Sequence, residues 1–151
     1  MRENGRLSSI ILEDCKQIIQ KVDFRQLRNK NVLLTGSNGF FGRYIAYTIY
    51  QLNKLKKLNC TLFCVSLHGP NKDISLLSQQ DSHIKPIQKD LSKNFKFNQP
   101  VDFIMHAACY AQPQKFIENS LATIELNITS TRKLLELAKK YHARFMFFSS
   151  A

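Results

Sequence analysis

No stretch of this sequence approaches the roughly 18 to 20 consecutive apolar residues that a helix needs to cross a membrane, so no membrane partner is expected. The N-terminus, MRENGRLSSIILEDCK, places acidic residues directly after a very short apolar stretch, which is not the pattern of a secretory signal. Cys15, Cys60, Cys64 and Cys109 form no Cys-x-x-Cys pair and join no His/Cys cluster at metal spacing. No metal is therefore expected, and the four read as reduced, packed thiols of a cytoplasmic protein. Acidic residues are scarce, 11 against 22 lysines and arginines, for a net charge of +11. That surplus suits nucleic acid, an anionic surface or a polyanionic small ligand. Yet the bases are scattered (Arg25, Arg28, Lys30; Lys54, Lys56, Lys57; Lys93, Lys96; Lys139, Lys140) and neither form a long block nor alternate with exposed aromatics. Nucleic acid is not the expected partner.

What is present suffices for one globular domain with a real core, since 44% of the 151 residues are hydrophobic. Glycine is sparse, with five in all, and three of them sit in a single stretch, VLLTGSNGFFG, from Val32 to Gly42. Val32, Leu33 and Leu34 make the short apolar run of a buried parallel strand. Phe41, Tyr44, Ile45, Thr48 and Ile49 then fall at helical spacing. Strand, glycine-rich turn and helix together point to a phosphate-binding turn. Gly36 allows the sharp turn, Gly39 lets backbone approach a ligand, and Gly42 lets the helix lie close. The helix start offers unpaired N–H groups and the positive end of its dipole to a pyrophosphate.

The remaining chain alternates in the same way. Ile11, Cys15, Ile18, Ile19 and Val22 make one apolar stripe on a helix preceding the first strand, with Phe24 and Leu27 anchoring the connection. That helix either caps the sheet or meets another subunit. Strands are expected at Cys60–Val65, Ile84–Gln88, Val101–Ala108 and Ala143–Phe148, with a short helix over Asp73–Gln79. Leu121, Ile124, Ile128, Thr131, Leu135 and Ala138 step by three and four, which predicts a long helix with that stripe as its seam. Pro113 keeps the polar loop Cys109–Asn119 from being helix throughout. The expected fold is α/β, a Rossmann-type doubly wound parallel sheet over residues 31–151 with an N-terminal helical extension over 1–30.

A dinucleotide fold usually places an acid after the second strand to hold the ribose hydroxyls. Here the chain reads Ser66, Leu67, His68, Gly69, Pro70, Asn71, Lys72, with no acid. Ser66 or His68 can hydrogen-bond the ribose and Lys72 can reach a 2′-phosphate, so NAD and NADP both stay open. Beyond the fourth strand, Ala107 and Ala108 leave room that a larger side chain would fill, and Gln112, Gln114 and Lys115 lie where open sheets bind ligands. Asp90 stands at the end of the third strand, either as a ligand-binding acid or as the start of a turn. His106, inside the fourth strand, reads as a satisfied core histidine.

TGSNGFFG resembles the TGxxGFxG turn of the extended short-chain dehydrogenase/reductase superfamily, in the branch acting on nucleotide sugars. Asp90-Leu91, the VDFIMHAA strand, the NSLATIELNITSTRKLLELAKK helix and the FFSSA strand end extend the resemblance from about Asn31 to Ala151. With AQPQKF before the helix, it is most similar to UDP-glucuronate decarboxylases and dTDP-glucose 4,6-dehydratases. The resemblance implies NAD held by Gly36, Ser37, Asn38, Gly39, Phe40, Phe41, Gly42, Ser66, Asp90, Leu91, Ala107 and Ala108, with the Asp90 carboxylate on the adenine amino group. It implies that Asn127 braces neighbouring backbone. It also implies a nucleotide-sugar substrate oxidised at C4 to a transient 4-keto sugar, and a homodimer when full-length. Ser150 is the serine expected to hold the reacting hydroxyl, with Ser149 the alternative. The tyrosine and lysine of a Tyr-x-x-x-Lys pair, expected about two dozen residues or more after that serine, would fall beyond Ala151. The expectation is thus the cofactor-binding part of a longer epimerase, dehydratase or decarboxylase, inactive alone; a non-catalytic NAD(P)-binding or regulatory relative is the alternative.

Overall fold

The apolar run after Asn31 forms the central strand of the sheet. In a computed structural model that describes residues 2–93, 95–109 and 113–149, β1 (Asn31–Thr35) lies between β2 (Thr61–Ser66) and β4 (Phe103–His106). Five strands make one sheet in the order β3-β2-β1-β4-β5, and every pairing is parallel. β3 (Ile84–Gln88) and β5 (Arg144–Phe147) are the edges. Pro86, which lacks an N–H to share, sits on the edge strand β3, where proline is tolerated. The strand order reverses direction after β1, so the sheet is doubly wound, as its alternation of elements required.

Two cores flank the sheet. One holds Val32, Leu34, Leu62 and Cys64 from the strands against α2 (Phe40–Lys56) and α3 (Lys72–Gln80). The other holds Leu33, Phe63, Val65 and Ile104 against Leu134 and Ala138 of α6 (Ser130–Tyr141). Alternate residues of β1 thus serve opposite faces, which is why a continuous Val-Leu-Leu run was needed. Burying each such side chain is worth about 1.5–3 kcal/mol.

The N-terminal stripe packs on the core rather than standing free. In α1 (Arg2–Lys21), Ile11, Cys15 and Ile19 are buried beside α2, while Ile18, and Val22 just past the helix end, remain outside. The Tyr44 hydroxyl donates to Asp14 at 2.8 Å and the Thr48 hydroxyl to the Cys15 sulfur at 3.2 Å. Phe24 and Leu27 close the connection against the same core.

Two expectations are corrected past β4. The stretch Cys109–Asn119, read as a polar loop that Pro113 keeps from being helix throughout, carries a helix, α4 (Pro113–Glu118), that Pro113 opens; at the first helical position its missing N–H costs nothing. The long helix is also not uniform. It runs through α5 (Ser120–Ile124), a wider π turn over Glu125–Thr129, and then α6. In that turn the Ser130 N–H bonds the Glu125 carbonyl, five residues back, and the buried Ser130 hydroxyl donates to the Leu91 carbonyl at 2.9 Å. The extra residue rotates one half of the helix against the other. Thr123, Ser130, Leu134 and Ala138 therefore face inward, whereas Leu121, Ile124, Ile128 and Leu135 of the expected seam are exposed. Among the described residues no helix is long and apolar enough to cross a membrane.

Candidate functional site

The chain turns at the carboxyl end of β1. Gly36 has φ +72°, and a Cβ there would stand 2.5 Å from the Ala107 carbonyl oxygen and 2.7 Å from the Ala108 nitrogen. Only glycine satisfies both the conformation and the close passage of β4. The turn is pinned to β2 by the Gly36 and Ser37 N–H groups, which donate to the Val65 carbonyl at 3.0 and 3.3 Å. Gly42 answers a different constraint: a Cβ would run into the Gly36 carbonyl and lie 2.6 Å from Ser37 Cα. The helix therefore presses on the turn itself rather than on the strand.

Gly39 is different again. It caps α2 in an extended conformation, and a Cβ there meets the Gly36 oxygen at 3.2 Å with open space beyond. The fold resists a side chain here less than at Gly36 or Gly42, since one backbone oxygen is the only close neighbour, and the vacant side is where a ligand can reach the backbone. The first helical N–H paired back along the helix is that of Arg43, to Gly39 at 3.0 Å. The N–H groups of Phe40, Phe41 and Gly42 precede that ladder and point out of the helix start, with the positive end of the dipole. This arrangement fits a pyrophosphate.

Several polar residues named from sequence spend their side chains on holding the site together. The Asn38 amide donates to the Gly69 carbonyl at 2.8 Å and accepts from the Asn71 N–H at 3.0 Å. Asn71 in turn caps α3, accepting from the Ile74 N–H. Ser37 is buried with its hydroxyl on the Val65 carbonyl, and the Ser66 hydroxyl donates to Gly69 at 2.7 Å. These bonds lock the glycine turn to the loop after β2. The Asp73 carboxylate, accepting from Tyr47 and Arg43, adds a tie between α2 and α3.

A cleft of about 440 Å³ opens beside the turn, along the carboxyl ends of β1, β2 and β4. Its wall includes Gly36, Asn38, Ser66, Asp90, Leu91 and Ala108, bringing together half of the residues expected to hold a dinucleotide. Asp90 serves both readings of its position. One oxygen accepts from the Ser92 N–H and hydroxyl, at 3.0 and 2.6 Å, and so begins a turn. The hydrogen bond from the Ser92 hydroxyl is the main reason its carboxyl is held below the ordinary range. The same residue lines the cleft, with Lys93 3.9 Å from its other oxygen. Lys89 and the exposed Cys109 also line this wall and were missed from sequence. Their only signal was position, one residue from Asp90 and from Ala108. His68 lines the wall too, while Lys72 opens α3 on the exposed side of the neighbouring loop.

His106 is buried, and its Nδ1 pairs with the Thr35 hydroxyl at 2.6 Å. Nε2 makes no hydrogen bond of ordinary geometry in the described structure. Burial pushes its pKa down, and the Leu126 backbone in the π turn acts the other way. Gln114 is exposed. Ser150, Gln112 and the Lys115 side chain lie outside the described residues, as does Tyr110. Among the described residues no group of three or more His, Cys, Asp or Glu can hold a metal.

The model of the NAD dependent epimerase/dehydratase family matches residues 32–151. Among curated proteins, the chain is 28% identical over 123 residues to UDP-glucuronic acid decarboxylase 6 of Arabidopsis thaliana, covering 82% of this chain and 34% of that one. It is 24% identical over 126 residues to dTDP-D-glucose 4,6-dehydratase of Dictyostelium discoideum, covering 80% and 29%. The chain thus spans about a third of the length of these relatives. Among solved structures, a UDP-glucose 4-epimerase from Bifidobacterium longum in complex with NAD+ and UDP superposes with TM-score 0.57 at 21% identity, over 80% of this chain and 37% of that one. Pen from Bacillus thuringiensis gives 0.61 at 20%, over 80% and 37%.

Proposed function

The chain belongs to the NAD dependent epimerase/dehydratase family, and from that membership we propose that it binds NAD over the β1–α2 turn as the cofactor-holding part of a nucleotide-sugar epimerase, dehydratase or decarboxylase. The observation that carries this reading is the unfilled space at Gly39 above the open start of α2. Gly36 and Gly42 are required by the fold; at Gly39 one oxygen alone crowds a side chain, and the open remainder makes sense as room for a pyrophosphate. The Phe40, Phe41 and Gly42 N–H groups hold the phosphates, and the cleft through Ser66, Asp90, Leu91 and Ala108 receives the adenosine. Ala107 keeps the end of β4 low where the dinucleotide passes. NAD supplies a hydride acceptor for the C4 carbon of the sugar, giving a 4-keto intermediate in the complete enzyme. Ser150 orients the reacting hydroxyl there, and the full-length protein is a homodimer working in the cytoplasm. The 151-residue chain alone turns over no substrate.

NAD is the preferred form. No arginine follows β2, and a 2′-phosphate costs desolvation unless a bidentate partner meets it. Lys72, His68 and Lys89 offer only single donors near the cleft. Calorimetry at one ionic strength tests this, with NAD expected to bind more tightly than NADP. If NADP bound tenfold tighter (about 1.4 kcal/mol) and Lys72→Ala erased that margin, the preference would be overturned. If neither bound, the cofactor reading itself would fall.

A further inference from the structure

We propose that the cleft between the end of α1, the Arg25–Leu27 turn and the end of α2 binds an acidic peptide segment carrying one apolar anchor. This cleft lies at the opposite end of α2 from the glycine turn, against the start of β1. Much of its lining comes from residues 19–28, which precede the family match at residue 32. The family fold alone would not make it.

Its shape and chemistry select the occupant. The volume is about 240 Å³, below the roughly 300–1,000 Å³ of small-molecule and cofactor sites, and suited to one anchoring side chain. Ile19, Leu52 and Leu58 make an aliphatic floor, and Val22, 51% exposed, forms a lip. Arg25, Arg28 and Lys56 stand around it. The Arg28 guanidinium is held by a bond to the Lys57 carbonyl at 3.2 Å.

Charge adds a second argument. Arg25, Arg28 and Lys56 make the rim cationic, and the acid in the lining, Asp23, is already paired with Arg25 at 2.8 Å. The C-terminal ends of α1 and α2 favour cations, but two such ends carry only about one negative charge in total. The three lining cations exceed that and Asp23 together by about one charge. A nucleic-acid backbone would use the cations but leave the aliphatic floor unused, and no row of exposed aromatics is present for base stacking. An acidic segment with one leucine-like residue uses both.

The test is fluorescence anisotropy with the 151-residue chain and a fluorescein-labelled peptide of six glutamates around a Leu-Leu centre. It should bind about tenfold or more tightly than the same peptide with an Ala-Ala centre, or one with lysines for glutamates. Lys56→Glu and Val22→Asp change exposed side chains, so both should keep the parent's melting temperature while weakening the peptide about fivefold or more. Equal binding of the Leu-Leu and Ala-Ala peptides would overturn the proposal, since diffuse charge would then explain it. Tighter binding of a 12-base-pair DNA duplex than of the peptide, or folded variants that bind like the parent, would overturn it as well.

Discussion

A side chain at Gly36 and one at Gly39 face opposite situations, although the sequence presents the two glycines alike. At Gly36 a methyl group meets backbone at 2.5 Å in a left-handed conformation, and at Gly39 it meets one oxygen at 3.2 Å. Gly36→Ala should therefore cost the fold about 3 kcal/mol or more. Gly39→Val should leave the melting temperature within a few degrees and abolish NAD binding. Thermal melts and calorimetry on both variants check the pair; a Gly39→Val protein that bound NAD like the parent would remove the reason for calling this turn a binding site. That three glycines formed a turn was legible in the spacing. Which of them the fold needs was not, because the answer depends on Ala107 and Ala108, far along the chain. Nor was it legible that the Asn38 and Ser66 side chains are both fixed by the Gly69 carbonyl while lining the cleft.

The cysteines give a second test at this scale. Burial pushes the Cys60 and Cys64 thiols up to about 12, and raises Cys15 as well, with the Thr48 hydroxyl partly opposing it. In the unfolded chain a thiol ionises near 8.5. Between those values the folded state holds more protons, so stability is complete below about pH 8.5 and falls as pH rises toward 12. Iodoacetamide at pH 8 should modify the exposed Cys109 quickly and the three buried thiols only as fast as the chain opens. Rapid modification of a Cys109→Ser variant under native conditions would show that the thiols are not buried as described.

At the level of elements, the strands and α2 were legible to within a few residues because local pattern and tertiary environment agree. β1 reads as buried and is buried on both faces; α2 has its glycine start and its basic end. The helix after β4 was legible as helix but its π turn was not, because its apolar period looks continuous. A 3-4 repeat presumes an uninterrupted helix, and the π turn at Glu125–Thr129 breaks that premise. Nothing local announces the turn, since Ser130 is fixed by the carbonyl of Leu91. The consequence can be measured. Leu134, 1% exposed, should cost roughly 2–5 kcal/mol as Leu134→Ala. Leu121, 78% exposed, should cost less than about 0.5 kcal/mol as Leu121→Ala. Urea denaturation of the two variants decides which face is inward, and a larger loss at Leu121 would restore the simple seam.

For the whole molecule, that same displacement leaves an apolar surface that the described residues do not cover. Ile117, Leu121, Ile124 and Ile128 recur at spacings of four, three and four, each more than half exposed, and Leu135 is 47% exposed further along. Monomers rarely leave large contiguous apolar patches uncovered. In the proposed full-length enzyme this helical face meets its counterpart in a second copy. Covering a fully exposed leucine is worth about 1.5–3 kcal/mol, so association at micromolar concentration, which needs about 8 kcal/mol net, draws on all four of these residues from each copy. The 151-residue chain should therefore scatter light as more than a monomer, with an apparent mass that rises with concentration. Leu121→Asp with Ile128→Asp should return it to the monomer mass without loss of helix content, because neither side chain is part of either core. A parent chain that stayed a clean monomer at high concentration would count against the apolar face as an interface. A charged double variant that still associated would place the contact elsewhere, with the open edge of β5 and its exposed Met146 and Phe147 the next surface to substitute.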